Sequence, residues 1–283
     1  MKKVGGQAVI EGVLMQSDDK VSVSVRKGKK IVNRVEKRHT KLNQMPWKLP
    51  LLRGMVALVE MMAVGIKMLN WSASVNNDEK ELSKGSTVLT IIFSIGFALI
   101  LFKLLPLTIA QLLTGINVFS SRVIFNIVEG SVKVLVFVLY LAVIGLFNDV
   151  KQVFRYHGAE HKAVNCYEAN EPLTVSNAMK FTTLNPRCGT SFILFVLLIS
   201  IIVYMFLPIN LNFIAKYSLR ILLLPVIAGV SYEVLRLSDR YKKNFFVQGL
   251  IKPGLMLQKL TTKEPDREQV QVALDALKKC LKE

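Results

Sequence analysis

Two histidines and a glutamate stand close together in the segment His157-Gly158-Ala159-Glu160-His161. On a helix, His157 and His161 lie one turn apart on the same face, as two ligands of one metal ion would. The pattern H-x-x-E-H also occurs in inverted zinc proteases, where both histidines bind zinc and the glutamate takes a proton from bound water. The segment therefore predicts a divalent metal site, with zinc as a candidate ion and Glu160 as the catalytic base.

Further side chains are needed to complete such a site. Glu168 returns to the face of His161 two turns later, and Glu171 and Glu233 are alternative distant carboxylates, with Glu233 preferred. Cys188 could complete the metal shell as a thiolate, and Arg187 precedes a helix start that would attract an anion. The predicted metal ligands are His157, His161, Glu168, Glu233 and Cys188, and the predicted catalytic residues are Glu160 and Arg187.

The composition indicates a membrane protein. The chain has 283 residues, of which 52% are hydrophobic, and a net charge of +17, with a mean hydropathy of +0.40. Apolar segments with basic flanks account for both values, whereas a soluble nucleic-acid-binding protein would not contain the uncharged segment 192–209. Three scattered cysteines favour reduced thiols, and no cleavable signal peptide is predicted.

The apolar segments predict a mainly α, polytopic helical membrane protein. Four segments approach the roughly 20 residues that cross a bilayer, and they cover residues 87–113, 123–147, 192–209 and 213–235. Within the second segment, Glu129 and Lys133 are expected to pair, because lone charges in hydrocarbon are costly. The segment 51–75 is interrupted by charges, so we expect an amphipathic helix in the membrane interface.

The basic residues predict the orientation. Lysine and arginine are abundant before residue 53, after residue 235 and in the segment 148–191, but absent from the connections 115–121 and 210–212. The positive-inside rule then places both termini and the segment 148–191 in the cytosol. The predicted organisation is a basic region 1–50, an interfacial helix 51–75, two spans within 86–147, a cytosolic segment 148–191, two spans within 192–237 and a cytosolic tail 238–283 with an amphipathic helix.

The N-terminal region contains a hairpin pattern. Residues 21–26 alternate between apolar and polar and predict a first strand. Residues 27–30 have the composition of a turn, and residues 31–35 predict a second strand. Upstream, three glycines around Glu11 suggest a backbone that bends or approaches another group closely. The sequence therefore predicts a small β-hairpin region before the membrane segments.

Several of these blocks together resemble the YqhQ-like family of bacterial multi-pass membrane proteins. The resemblance extends through nearly the whole chain, over residues 5–13, 129–130, 156–162, 167–168, 186–192, 231–233 and 253–254. It implies a multi-pass protein of the bacterial cytoplasmic membrane that depends on a metal. It implies no particular substrate or reaction.

Three functions are compatible with these features. The first is a metal-dependent hydrolase at the cytosolic surface of the bilayer. The second is a non-enzymatic protein whose basic cytosolic face docks an anionic partner, such as the ribosome or acidic lipids, while the histidines only hydrogen-bond backbone carbonyls. The third is ion transport along Glu129, Lys133 and Lys103, which ranks last because repeated or discontinuous spans are not evident.

Overall fold

The computed structural model describes residues 2–42, 44–77, 83–114, 122–208, 211–241 and 244–282. Within these residues the chain is mainly helical, with one antiparallel sheet near the N-terminus. The strands are β1 (Gly5–Val9), β2 (Gly12–Gln16), β3 (Lys20–Lys27) and β4 (Lys30–Lys37). The helices are α1 (Leu52–Asn77), α2 (Lys84–Leu99), α3 (Leu105–Thr114), α4 (Arg122–Ile144), α5 (Asn148–Glu168), α6 (Val175–Ala178), α7 (Gly189–Tyr204), α8 (Phe213–Leu222), α9 (Leu224–Arg240), α10 (Phe245–Thr261) and α11 (Arg267–Leu281), and a π-helical turn (Ile100–Leu104) joins α2 to α3.

The sheet is larger than the predicted hairpin. Strands β3 and β4 confirm the hairpin, with Lys27 opposite Lys30 and Gly28 at a φ of 58° in the turn. Strands β1 and β2 were not predicted, since the glycine-rich sequence 5–16 lacks clear alternation. They join at Glu11, which has a φ of 50°, and the four strands pair in chain order.

Helices cover both faces of the sheet. Met68 of α1 packs with Leu14 and the valines of β3 on one face. Helices α5 and α11 cover the other face, where Val13 and Met15 join Tyr156 and the apolar side of α11 in one core. The sheet therefore links the start of the chain to its end and to the helix that carries the histidines.

The helix predicted in the C-terminal tail is α11. Asp266 caps its N-terminus and forms a capping box with Gln269. Its buried face includes Val270, Leu274 and Leu277, which pack in the core shared with the sheet and α5. The apolar face of this helix is thus buried by protein.

The structure supports the assignment to a membrane protein, but it does not establish all four predicted spans. In the described residues, two helical segments, Gly85–Leu113 and Val123–Ile144, are long and apolar enough to cross a membrane. The pair α8 and α9, bent by 42°, makes a third if it is one span, and α7 is a shorter apolar helix of 16 residues. The predicted connection 115–121 and residue 210 of the predicted connection 210–212 lie outside the described residues.

The segment 148–191, which was predicted to be a cytosolic loop, begins with helix α5. The chain that follows α10 lies directly on this helix, since the amide of Lys263 donates to the carbonyl of Phe154 over 2.9 Å. A methyl group on Gly158 would lie 2.1 Å from the carbonyl oxygen of Lys263. Glycine is therefore required at position 158 by the close approach of another backbone.

Replacing Gly158 by alanine should destabilise the protein by about 1–3 kcal/mol, because the added methyl group must displace backbone. A thermal unfolding curve in detergent would show a lower midpoint for this variant. The matched control is Gly249→Ala, also within a helix, where the methyl group would meet no atom within 4 Å. A midpoint for Gly158→Ala at or above that of the control would contradict the close approach.

Candidate metal centre

Helix α5 presents both histidines toward one point. The His157 and His161 rings lie one turn apart with centroids 4.5 Å from each other, which confirms the shared helical face. His161 is only 2% exposed, and His157 is half-buried. The Nε2 atom of His157 lies 3.2 Å from the Sγ atom of Cys188, the residue that caps the N-terminus of α7.

These three residues form a compact group of donor atoms. One donor atom from each of His157, His161 and Cys188 lies within 4.8 Å of the other two. Zinc bonds of about 2.0–2.3 Å to nitrogen and sulfur place tetrahedral ligand atoms about 3.3–3.6 Å apart, so one ion would draw these donor atoms closer together. The donor types and their proximity fit a single ion once the side chains have adjusted.

Backbone carbonyls orient both rings. The Nδ1 atom of His157 lies 2.9 Å from the carbonyl oxygen of Thr261, and that of His161 lies 2.5 Å from the carbonyl oxygen of Thr183. Because a carbonyl only accepts hydrogen bonds, each neutral ring carries its proton on Nδ1 and its lone pair on Nε2. Metal-binding histidines are commonly held by such an outer hydrogen bond, which sets the tautomer and the ring angle.

Glu160 is a buried carboxylate beside these rings. It is 5% exposed, and its Oε2 atom lies 3.4 Å from Nε2 of His161. Burial raises the pKa of Glu160 to about 7, against the opposing influence of His157 and Arg187. A methyl group on Gly6 would lie 2.9 Å from Glu160 Oε1, so β1 closes over this carboxylate. A carboxyl group with such a pKa can both accept and release a proton near neutral pH.

The other predicted ligands are placed elsewhere. Glu168 forms an ion pair with Arg187, and Glu233 holds Arg53 with both carboxylate oxygens, at 2.7 Å from Nε for one of them. Among the described residues, neither glutamate belongs to the three-residue group. Cys188, which was also among the predicted ligands, is the third member of the group, and each glutamate pairs with an arginine.

Arg187, which was predicted to bind an anion, lies at the edge of the site. It contributes to a cavity of about 340 Å³ that is also lined by His157, Glu160 and Cys188. Strand β1 forms another wall of this cavity through the residues from Gly5 to Ala8. The glycine-rich block near the N-terminus therefore belongs to the site in three dimensions.

The loop that supplies the Thr183 carbonyl is clamped by polar side chains of α5. Lys162 is 3% exposed and donates to the carbonyls of Met179 and Phe181 over 3.0 and 2.7 Å. Asn165 donates to the carbonyls of Thr182 and Leu184 over 2.9 and 3.1 Å. These bonds on either side of residue 183 fix the carbonyl that orients His161.

A buried glutamine ties α10 to the cysteine loop. Gln258 is fully buried, accepts from the amide of Asn185 over 2.9 Å and donates to the carbonyl of the same residue over 2.8 Å. It also donates to Ser191 over 2.9 Å. Sequence reasoning missed Gln258, although a glutamine within an otherwise apolar helical pattern was an available signal.

The sequence also did not predict the carbonyl groups that orient the histidines or the contact between Tyr156 and Glu11. Thr183 and Thr261 act through backbone carbonyls, which any residue type could supply, so no sequence signal marks them. Tyr156 donates to Glu11 over 3.2 Å and joins the N-terminal block to α5, while burial raises the pKa of this phenol. The pairing connects residues far apart in the chain and was not foreseeable from spacing.

A second cavity, which we call the basic cleft, adjoins the site through Arg187. It has a volume of about 560 Å³. Its charged lining consists of Lys3, Lys48, Arg53, Arg187, Arg236 and Asp239. Glu233 and Glu168 neutralise two of these arginines, and the remaining cations leave the cleft positively charged.

Comparisons with known proteins show the family of this chain. Residues 49–283 match the family described as "Protein of unknown function (DUF1385)". The chain is 34% identical, over 295 aligned residues, to the "Uncharacterized protein YqhQ" of Bacillus subtilis (strain 168), and the alignment covers 98% of this chain and 92% of the relative. No solved structure matches the chain. The sequence blocks that build the centre thus lie in a chain that belongs to the DUF1385 family, together with its YqhQ relatives.

Proposed function

We propose that this protein is a metal-dependent hydrolase whose site lies at the cytosolic face of the bacterial cytoplasmic membrane. The observation that carries the proposal is the proximity of one donor atom from each of His157, His161 and Cys188, with both Nδ1 atoms engaged by carbonyls. Two imidazoles, one thiolate and an open position are a ligand set of catalytic zinc sites.

The side chains around this group can perform the proton transfers of hydrolysis. When bound, the ion would act as a Lewis acid and would lower the pKa of a coordinated water molecule. Glu160 accepts a proton from water as the water oxygen forms a bond to the electrophilic carbon or phosphorus of the substrate. The same carboxyl returns that proton to the leaving group as its bond breaks, so Glu160 ends the cycle ionised. Strand β1 limits the access of bulk water to this carboxyl.

The basic cleft indicates the kind of substrate that this site would take. Arg187 lies on the walls of both the site cavity and the cleft, so a substrate could place its reactive bond near Glu160 and an anionic group among the cleft cations. Glu168 holds the guanidinium of Arg187 in this position. We therefore propose that the substrate is an anionic compound and that Arg187 binds its anionic group.

We infer four membrane crossings with both termini in the cytosol, and a parity argument supports this number. The sheet, α5 and α11 share one core, so they lie on one side of the membrane. The chain leaves this core and returns twice, through α2–α4 and through α7–α9. If the bent pair α8 and α9 crosses the bilayer, α7 must cross it as well, since α11 would otherwise emerge on the opposite side.

Reporter fusions test this topology. Alkaline phosphatase joined after residue 208, between α7 and α8, should be active because it is exported, whereas the same enzyme joined after residue 241 should be inactive. A green fluorescent protein at the C-terminus should fluoresce. Phosphatase that is inactive after residue 208 would show that α7 does not cross, and the four-span arrangement would be wrong.

A second function, docking of an anionic partner such as the ribosome or acidic lipids, is favoured by the basic cleft. The exposed side chains of Lys3, Lys48 and Arg236 could bind phosphate groups without any chemistry at the histidines. In that case function would depend on these cations and on salt concentration, and it would not depend on Glu160. The two functions therefore differ in their response to one substitution.

The substitution Glu160→Gln should leave metal binding intact while lowering activity by about 10²–10⁴-fold, because it removes the proton acceptor but no ligand. Metal content would be measured by elemental analysis of the purified protein, and function by complementation of a strain that lacks the gene. The double variant His157→Ala/His161→Ala should lose both metal and function. Glu171→Gln, at an exposed position, and His39→Ala, outside the three-residue group, are the matched controls.

Two results would count against the hydrolase. If Glu160→Gln complements as well as Glu171→Gln does, Glu160 is not a catalytic base and docking becomes the better account. If the double histidine variant retains as much metal as His39→Ala, the ion is bound elsewhere and the proposed ligands are wrong.

A further inference from the structure

A second group of charged side chains lies among the apolar helices and shares no residue with the metal centre. We call it the charge cluster: Lys103 in the π-helical turn, Glu129 and Lys133 on α4, and Lys216 and Arg220 on α8. Glu129, Lys133 and Arg220 are 2%, 1% and 5% exposed. The predicted pair of Glu129 and Lys133 is confirmed, with 3.3 Å between Oε1 and Nζ.

The cluster has a large excess of positive charge. Glu129 is the single acidic residue in the sequence 83–148, and the sequence 189–232 contains none. Its carboxylate pairs with Lys133 and with Arg220. One carboxylate thus faces four cations, which leaves an excess of three positive charges when all the groups are ionised.

The cations gather around one aromatic ring. The centroid of Tyr204 lies 5.1 Å from Lys103 Nζ, 4.9 Å from Lys133 Nζ and 4.9 Å from Arg220 Cζ. The Tyr204 hydroxyl accepts from Lys103 over 2.8 Å and donates to the carbonyl of Arg220 over 3.2 Å. Cation–π contacts lower the cost of burying these charges without neutralising them.

The buried hydrogen-bond donors of the cluster do not all have an acceptor. Within the described part of the chain, Nε of Arg220 has no hydrogen-bond partner, although Arg220 donates through Nη2 to Asn126 over 3.2 Å. Lys133 and Arg220 share the single carboxylate of Glu129. A buried cation without enough counter-charge is strongly unfavourable in a low-dielectric environment. The arrangement is therefore incomplete unless an anion joins it.

Two lysines of the cluster are only partly buried. Lys103 and Lys216 are half-buried, and Lys216 and Arg220 lie over the same ring of Phe125, at 5.6 and 5.7 Å from its centroid. Lys103 stands in a π-helical turn, a rare distortion that often marks functional sites. These two lysines would meet a ligand first, ahead of the buried Lys133 and Arg220.

We propose that the charge cluster binds a phosphate group. A tetrahedral group with several anionic oxygens can accept from lysines and an arginine at once, which a single carboxylate cannot do. The phosphate could belong to a phospholipid headgroup or be inorganic phosphate. Glu129 holds Lys133 and Arg220 in place and limits the affinity, because it already neutralises part of their charge. This site is independent of the proposed hydrolase activity.

The test uses the full-length protein purified in detergent. Isothermal titration calorimetry would be performed with sodium phosphate in one arm and with dioctanoyl phosphatidylglycerol in the other, and dioctanoylglycerol, which lacks phosphate, is the control ligand. The wild type should bind at least one of the two phosphates and should not bind the control. Binding in the first arm identifies free phosphate as a ligand, and binding in the second arm alone identifies a lipid headgroup.

Substitutions at the partly exposed lysines separate a binding role from a structural one. Lys103→Met and Lys216→Met should each weaken binding about tenfold by removing one charge-assisted contact, while Glu129→Gln should tighten it. Lys252→Met, at an exposed position on α10, should leave binding unchanged. The proposal is overturned if the wild type binds neither phosphate, or if the variants at Lys103 and Lys216 bind as the Lys252 control does.

Discussion

Two hydrogen bonds from ring nitrogens to backbone carbonyls control the geometry of the metal centre. They join His157 to Thr261 and His161 to Thr183, and His157 Nε2 then lies 3.2 Å from Cys188 Sγ. Each carbonyl comes from a different segment, one at the end of α10 and one in the loop before α7. The candidate centre therefore depends on two segments that meet at α5, and much of the surrounding structure brings them together.

The residues around the histidines act together to bring those segments close. Gly158 removes the side chain that would keep the segment after α10 away from the helix. Lys162 binds the loop on the opposite side and also pairs with Glu264 at 2.7 Å, so one lysine contacts both approaching segments. The sheet then covers Glu160 through Gly6. The H-x-x-E-H pattern thus combines the proposed ligands, the proposed base and a packing position within two helical turns.

The sequence predicted the parts of the site that depend on local spacing. The i, i+4 relation placed His157 and His161 on one face, and the approach of Cys188 followed from its position before an apolar helix. Glu168 and Glu233 do not join the three-residue group and pair instead with Arg187 and Arg53, which are remote in the chain. Ion pairing between distant residues leaves no periodic signal that could have separated a ligand from a structural carboxylate.

In the fold as well, the elements set by neighbouring residues could be predicted, whereas those set by contacts between distant residues could not. Alternation in β3 and β4 and the amphipathic pattern of α11 could be predicted, since each is set by neighbouring residues. Strands β1 and β2, in contrast, are held by pairing of β1 with β2 and of β2 with β3, and by burial beneath α5 and α11. Helix α10 contains Pro253 and was not predicted either, although it supplies the carbonyl that orients His157.

X-ray absorption spectroscopy at the absorption edge of the bound metal tests the central claim most directly, because it identifies the ligand atoms in the purified wild-type protein. The account predicts two imidazole nitrogens at about 2.0 Å and one sulfur at about 2.3 Å in the first coordination shell. A protein that holds no metal, or a bound metal whose first shell lacks sulfur, would contradict it.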